Sequence, residues 1–169
     1  MLITASDVDE VVATVGGSNP RAIFSPEKSL DAYKLSQVLD NRKRGKAAEL
    51  LVVKELRLQH KMVQHIGGRS PFDILMGNRR KFRVEVKSSL ATASIIGGKV
   101  RYSYNFRNIK PENFDSIIFV FIFPEGLVFR GMSKSKLYDK LAYCNRYSNG
   151  YVLSVGHDAT RSLGRQIAA

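Results

Sequence analysis

The segment from Asp73 to Lys87 constrains this chain more than any other. Phe72 to Met76 is apolar apart from Asp73 and reads as a short strand. Gly77-Asn78-Arg79-Arg80-Lys81 follows as a basic hairpin loop. The next stretch alternates, with Phe82, Val84 and Val86 on one face and Arg83, Glu85 and Lys87 on the other. A hairpin symmetric about Arg79, the centre of the loop, sets position 73 opposite position 85. Directly opposed side chains in an antiparallel pair have Cβ atoms about 4.5–5.5 Å apart. Asp73 and Glu85 are therefore expected to point the same way, close enough to share one cation. Lys87 lies two residues along the same face, roughly 7 Å away by strand rise.

Each of these groups has a physical reason to be there. Two opposed carboxylates repel unless a cation sits between them, and a hard divalent ion with oxygen ligands fits. Mg²⁺ would keep positions open for water and a phosphate oxygen, activate the water and stabilise charge developing on phosphorus. Lysine is a compact charge that can hold a scissile phosphate or help deprotonate the attacking water. Two carboxylates and a lysine on one sheet face are thus the makings of a phosphodiesterase site.

The charge distribution points the same way. The chain carries 27 Lys and Arg against 15 Asp and Glu, a net charge of +12. Residues 1–40 hold 3 basic and 6 acidic side chains, residues 41–87 hold 13 and 4, and residues 88–169 hold 11 and 5. The basic excess is densest around the hairpin, and a polyanion, most commonly nucleic acid, is the partner this implies.

The rest of the chain reads as one α/β domain with an N-terminal extension. Ser6 and Asp9 mark a helix start, Val8, Val11, Val12 and Val15 recur at helical spacing, and a second short helix covers Ser29 to Leu39. Arg42 to about Gln59 is a strong helix. On a helical wheel Ala48, Leu51, Val52 and Leu56 face away from Lys46, Lys54 and Arg57. Glu49 and Glu55 are both turned inward, where a carboxylate is costly unless satisfied, and the wheel does not choose between them. Lys99 to Arg107 alternates with Val100, Tyr102, Tyr104 and Phe106 inward. Ser116 to Phe123 is a continuous apolar run, expected of a strand covered on both faces. Pro124-Glu125-Gly126 turns into Leu127–Arg130, Ser133 to about Tyr143 reads as a helix, and Tyr151–Val155 as a final strand.

At 169 residues the chain suits one well-buried domain. It has no run of eighteen apolar residues and no signal-peptide pattern, and its one cysteine, Cys144, excludes an internal disulfide framework. A cytoplasmic protein without a membrane span is the expectation. His60, His65 and His157 lack zinc-site spacing and are expected to be surface or hinge residues. Gly97-Gly98-Lys99 is followed by Val100 rather than Ser or Thr, which does not support a P-loop.

Pro71-Phe72-Asp73, then Glu85-Val86-Lys87 after an eleven-residue gap, resembles the motif of the PD-(D/E)XK nuclease superfamily. Phe72 intervenes between the proline and the aspartate, so the literal Pro-Asp pair is absent. Gly45-Lys46-Ala47-Ala48-Glu49-Leu50 is similar to the first helix of archaeal Holliday-junction resolvases and related small endonucleases. The resemblance spans roughly residues 42–131 and implies a restriction-endonuclease-like core, a mixed central sheet flanked by helices. That core would occupy residues 41–169, after a helical extension at 1–40. The resemblance also implies that Asp73, Glu85, the backbone carbonyl of Val86 and Glu49 bind Mg²⁺, with Mn²⁺ substituting. Lys87 would position or activate the water, and the products would carry 5′-phosphate and 3′-hydroxyl ends.

Arg42, Lys43, Arg44 and Lys46 at the helix start, Arg79, Arg80 and Lys81 at the hairpin tip, and Ser88 are the expected DNA contacts. Cutting both strands calls for two sites, hence a homodimer. The acidic arm and a tail with Arg161 and Arg165 tilt the expectation toward a site-specific enzyme of restriction or homing type rather than a junction resolvase. The rivals are a catalytically inactive nucleic-acid-binding module of the same fold and an RNA-processing nuclease.

Overall fold

Asp40 accepts the backbone N–H of Lys43 at 2.8 Å and so starts the first described helix, α1 (Asn41–Gln59). The helix ends where His60 turns extended and its N–H closes on the Leu56 carbonyl at 2.8 Å. In this computed structural model the described residues are 40–78, 81–123, 126–144, 150–156 and 165–166. The N-terminal helices expected before residue 40, the hairpin tip at Arg79 and Arg80, the turn at Pro124-Glu125, His157 and Arg161 lie outside them.

α1 buries Ala47, Ala48, Leu51, Val52, Val53, Glu55 and Leu56, which contains the face expected from the wheel. Three strands follow: β1 (Val63–His65), β2 (Ile74–Met76) and the long β3 (Phe82–Ile96). Next come β4 (Lys99–Ile109), a 3₁₀ turn at Pro111–Asn113, β5 (Ser116–Phe123) and β6 (Gly126–Ser133). The chain closes with α2 (Lys134–Tyr138), β7 (Ala142–Cys144), β8 (Gly150–Gly156) and β9 (Arg165–Gln166). The sheet runs β7-β8-β4-β3-β5-β6-β9, with β1 and β2 beside β3. Among the described residues only the β3–β5 pairing is parallel, so the sheet is mixed as expected.

β5 is covered on both faces. Ile118, Val120 and Ile122 join Val84, Val86, Ile74 and the α1 side chains in one apolar cluster. Ile117, Phe119 and Phe121 join Tyr104 and Phe106 of β4, Leu153 and Val155 of β8, and Leu137 of α2 in the other. Phe106 meets Phe119 and Phe121 with ring centroids 4.7 and 5.2 Å apart, and Tyr104 meets Phe121 edge-on at 5.1 Å. The second face is therefore filled mainly by strands. The expected helical flank is only the single turn of α2 there, among the described residues.

Four expectations need correction. The helix expected over Ser133–Tyr143 stops at Tyr138, and Ala142–Cys144 instead extends the sheet as β7, where Tyr143 pairs with Tyr151. Pairing with a neighbouring strand overrides weak helix propensity in this tyrosine-bearing stretch. β8 is followed by another strand, since β9 pairs with β6. β3 runs nine residues past Lys87, to Ile96. Tyr102, placed inward by alternation, is 53% exposed, whereas Tyr104 and Phe106 are core. The Val100 side chain is not among those described. Alternation names a face, but the core ends before Tyr102.

Truncating Ile74, which is fully buried beneath α1, should cost about 2–5 kcal/mol, as large-to-small core changes do. Ile95→Ala, at a site 78% exposed, should change stability by less than about 0.5 kcal/mol. Denaturant unfolding of Ile74→Ala and Ile95→Ala checks both; equal effects would contradict the core described.

Candidate active site

β2 pairs with β3 only from Met76↔Phe82 to Ile74↔Val84, the register set by symmetry about position 79. β4 joins β3 only from Ala91↔Tyr104 onward. Between these two pairings, residues 85–90 of β3 have a ladder partner on the β5 side alone among the described residues. The Asp73 carboxylate enters this gap. Its Oδ2 accepts the backbone N–H of Val86 at 2.8 Å, while the N–H of Asp73 donates to the Val84 carbonyl at 3.1 Å. A strand residue presents its N–H and C=O to the same side, so the Val86 carbonyl also faces the gap.

Glu85 and Lys87 lie on the same face of β3, and the Lys87 ammonium sits 2.6 Å from Glu85 Oε1. Their side chains are only 12% (Glu85) and 23% (Lys87) exposed. Burial, then the charge of Glu85 and more weakly that of Glu49, push the Asp73 carboxyl up to about 7. The Val86 N–H and Lys87 pull the other way without cancelling this. Asp73 is thus a strained anion that a cation beside it would relieve.

Glu49 reaches the site from the third turn of α1. Its Oε2 is 2.8 Å from His65 Nε2, with both side chains under one-fifth exposed. The backbone that carries His65 also holds Asp73, since the N–H groups of Ile66 and Gly67 donate to the Asp73 carbonyl at 2.8 and 3.3 Å. Gly67 has φ +57, and a Cβ there would lie 2.8 Å from the His65 ring and 3.2 Å from the Lys46 ammonium. Glycine is favoured on both counts.

His65 is therefore no surface residue. Its place in β1, opposite Ile74, puts it one rung from Asp73. A three-residue strand gives too short a periodic signal to find from sequence.

These elements border an open groove of about 790 Å³ lined by Arg44 and Glu49 of α1, Asp73, Val86 to Ala93 of β3, and Asn105 to Arg107 of β4. Of the expected DNA contacts, Arg44 and Ser88 line it. Lys46 lies beside His65, and Arg42 and Lys43 are exposed at the helix start. Lys81 is exposed at the other end of the β2–β3 hairpin and does not line the groove. Glu55 is buried, 6% exposed, within the helix face that packs on the sheet, and does not line the groove either. Asn105 and Arg107 were not foreseen, because the fold brings them in from β4.

Among the described residues, no group of three or more His, Cys, Asp or Glu side chains is arranged to hold a metal ion. Glu49 is turned to His65. What fits a hard cation is the smaller donor set of the Asp73 and Glu85 carboxylates and the Val86 carbonyl. Mg²⁺ is usually held by one or two carboxylates with waters completing its shell.

His65→Ala should leave Glu49 without its partner, and Gly67→Ala should push the imidazole away from it. Both should retain the fold and move the Glu49 side-chain resonances, read by NMR, in the same direction. A Glu49 signal unmoved in both variants would show that His65 does not hold it.

No protein-family model and no curated protein matches the sequence. The fold resembles that of a bacterial homing endonuclease, I-Ssp6803I, with a TM-score of 0.44 and 14% sequence identity over 69% of this chain and 78% of that one.

Proposed function

We propose that this protein is a divalent-metal-dependent DNA endonuclease of the PD-(D/E)XK kind, with residues 41–169 as its nuclease domain. The observation that carries the proposal is the open edge of β3. There Asp73, Val86 and Lys87 line a groove inside the most basic part of the chain, with Glu85 against Lys87 beside it. A module that only bound nucleic acid would gain nothing from turning two carboxylates toward phosphates.

Asp73, Glu85 and the Val86 carbonyl would hold Mg²⁺ or Mn²⁺, which when bound supplies Lewis acidity to the attack on phosphorus. Lys87 is held against Glu85 and presents its charge to the groove, where it can neutralise a phosphate oxygen and take part in deprotonating the incoming water. Arg44 of α1 and Arg107 of β4, which both line the groove, would give the backbone of a nucleic acid two further cationic contacts. Glu49, held by His65, adds a negative charge behind Asp73 and orders that side of the site. Cleavage of both strands would use two copies of the chain. The tilt toward site-specific cutting rests on the sequence features beyond the core, and no described helix is long and apolar enough to cross a membrane.

The decisive experiment is incubation with plasmid, four-way junction and RNA in Mg²⁺ or Mn²⁺, with mapping of the cut ends. Asp73→Ala, Glu85→Ala and Lys87→Ala should each abolish cleavage in a folded protein that still binds DNA. Glu49→Ala should lower it about ten- to a thousandfold, toward the upper end if it contacts the metal, as outer partners of metal sites typically contribute 10–100-fold. Full cleavage by any of the first three would sink the proposal.

A second test uses the strain at Asp73. The folded protein keeps its proton up to about pH 7, whereas the unfolded chain releases it near 3.8. Stability from this group is therefore lost as pH rises between those values. Without metal, Asp73→Asn, whose side-chain oxygen can still accept the Val86 N–H, should melt higher than wild type at pH 8. The gap should close toward pH 4, and Mg²⁺ should close it at pH 8 by binding only the folded wild type. Melting curves with and without chelator decide this, and a pH-independent gap contradicts the assignment of Asp73.

A further inference from the structure

Beyond the groove, β3 and β4 leave the body of the sheet as a two-stranded arm. Among the described residues, the pairing of β8 with β4 reaches Ser103↔Gly156. The rungs from Ala93↔Tyr102 to Ile96↔Lys99 join the two strands to each other alone, among the described residues. Alternation separates Ala93, Ile95 and Tyr102 on one face from Ser94, Ile96, Lys99 and Arg101 on the other. Both faces are open: Ile95 is 78% and Ile96 55% exposed.

Three features give this arm a polyanionic partner. From Ser88 to Arg107 there is no acidic residue, while Lys99, Arg101 and Arg107 are basic. The stem of the arm, Leu90–Ala93 and Asn105–Arg107, lines the groove that holds Asp73, so anything lying in the groove runs along the arm. A two-stranded ribbon is also of a width that the major groove of B-DNA, about 12 Å across, admits.

A second copy of the chain is a poorer occupant. Ala93, Ile95 and Tyr102 offer far less than the roughly 800 Å² per partner of a stable interface. A-form RNA, with its deep and narrow major groove, shuts the ribbon out.

We infer that the β3–β4 arm enters the major groove of duplex DNA bound in the groove lined by Asp73 and Lys87, with Arg101 reading base edges and Lys99 holding the adjacent phosphate. This rests on the endonuclease proposal and adds to it the element that selects sequence. Ser94, the rung partner of Arg101, lies seven residues beyond Lys87. At about 3.3 Å per residue that is at most about 23 Å, or roughly seven base pairs from the phosphate at Lys87.

The test is selection of binding sequences from a random pool of 40-base-pair duplexes in Ca²⁺, for wild type, Arg101→Ala and Lys99→Ala. Wild type should enrich a sequence and protect guanine N7 in its major groove from dimethyl sulfate. Arg101→Ala should lose the preference at positions within about seven base pairs of the mapped cut and bind the enriched duplex about ten- to a hundredfold more weakly. Lys99→Ala should weaken binding to all duplexes alike.

If Arg101→Ala enriches the same sequence with the same affinity, or wild type enriches none, the arm does not read DNA, and wild-type cleavage still decides the endonuclease proposal separately. If wild type enriches a sequence that Arg101→Ala does not, but no divalent ion supports cutting, the arm stands and the endonuclease proposal falls. Equal competition by an RNA duplex overturns the inference. So does a dimer that Ile95→Ser or Tyr102→Ser dissociates while Arg101→Ala selects as wild type does.

Discussion

The hydrogen bond from the Val86 N–H to the Asp73 carboxylate organises this site. A strand edge without a neighbouring strand leaves backbone groups that must find other partners, in side chains or water. β2 ends its pairing at Ile74 and β4 begins at Ala91, so β3 has such an edge in mid-strand. Asp73 supplies a side-chain acceptor where the ladder stops. One bond thereby keeps the sheet satisfied and places a carboxylate next to Glu85, with its own proton affinity raised to about 7. The backbone need and the accumulation of negative charge have the same structural origin.

The surrounding elements hold that arrangement without relieving it. Lys87 engages Glu85, His65 engages Glu49, and the amides of Ile66 and Gly67 engage the Asp73 carbonyl. None of these contacts removes the excess charge at Asp73, whose carboxylate takes a neutral backbone donor from Val86. That imbalance is the chemical basis for proposing a cation there. A site built only for stability would have paired Asp73 with a lysine or arginine, as Asp115 is paired with Arg83 elsewhere in the sheet.

The arm and the site are also mechanically continuous. β3 carries Glu85 and Lys87 near one end and Ile95 at the other, 78% exposed, without a break in strand structure. A contact made by Arg101 on the arm can therefore fix the position of a nucleic acid relative to Lys87 through a strand pair rather than a loop. Rigid elements hold functional groups more precisely than loops do.

Local pattern alone determined a good part of this. The α1 helix and its inward face, the hairpin with its register about position 79, and the doubly buried β5 are all legible because hydrophobic period and turn residues are local signals. So is the neighbourhood of Asp73, Glu85 and Lys87, since a two-strand register follows from loop length. Tertiary structure decided the rest. Glu49 and Glu55 are equally inward on a wheel, yet only Glu49 is met by His65, whose position depends on β1 pairing with β2. Arg107 and Asn105 reach the groove through the β3–β4 pairing, and Tyr102 is exposed because the core ends before the arm does. Such outcomes depend on which distant segment lies beside a residue, and no pattern within the residue's own neighbourhood encodes that.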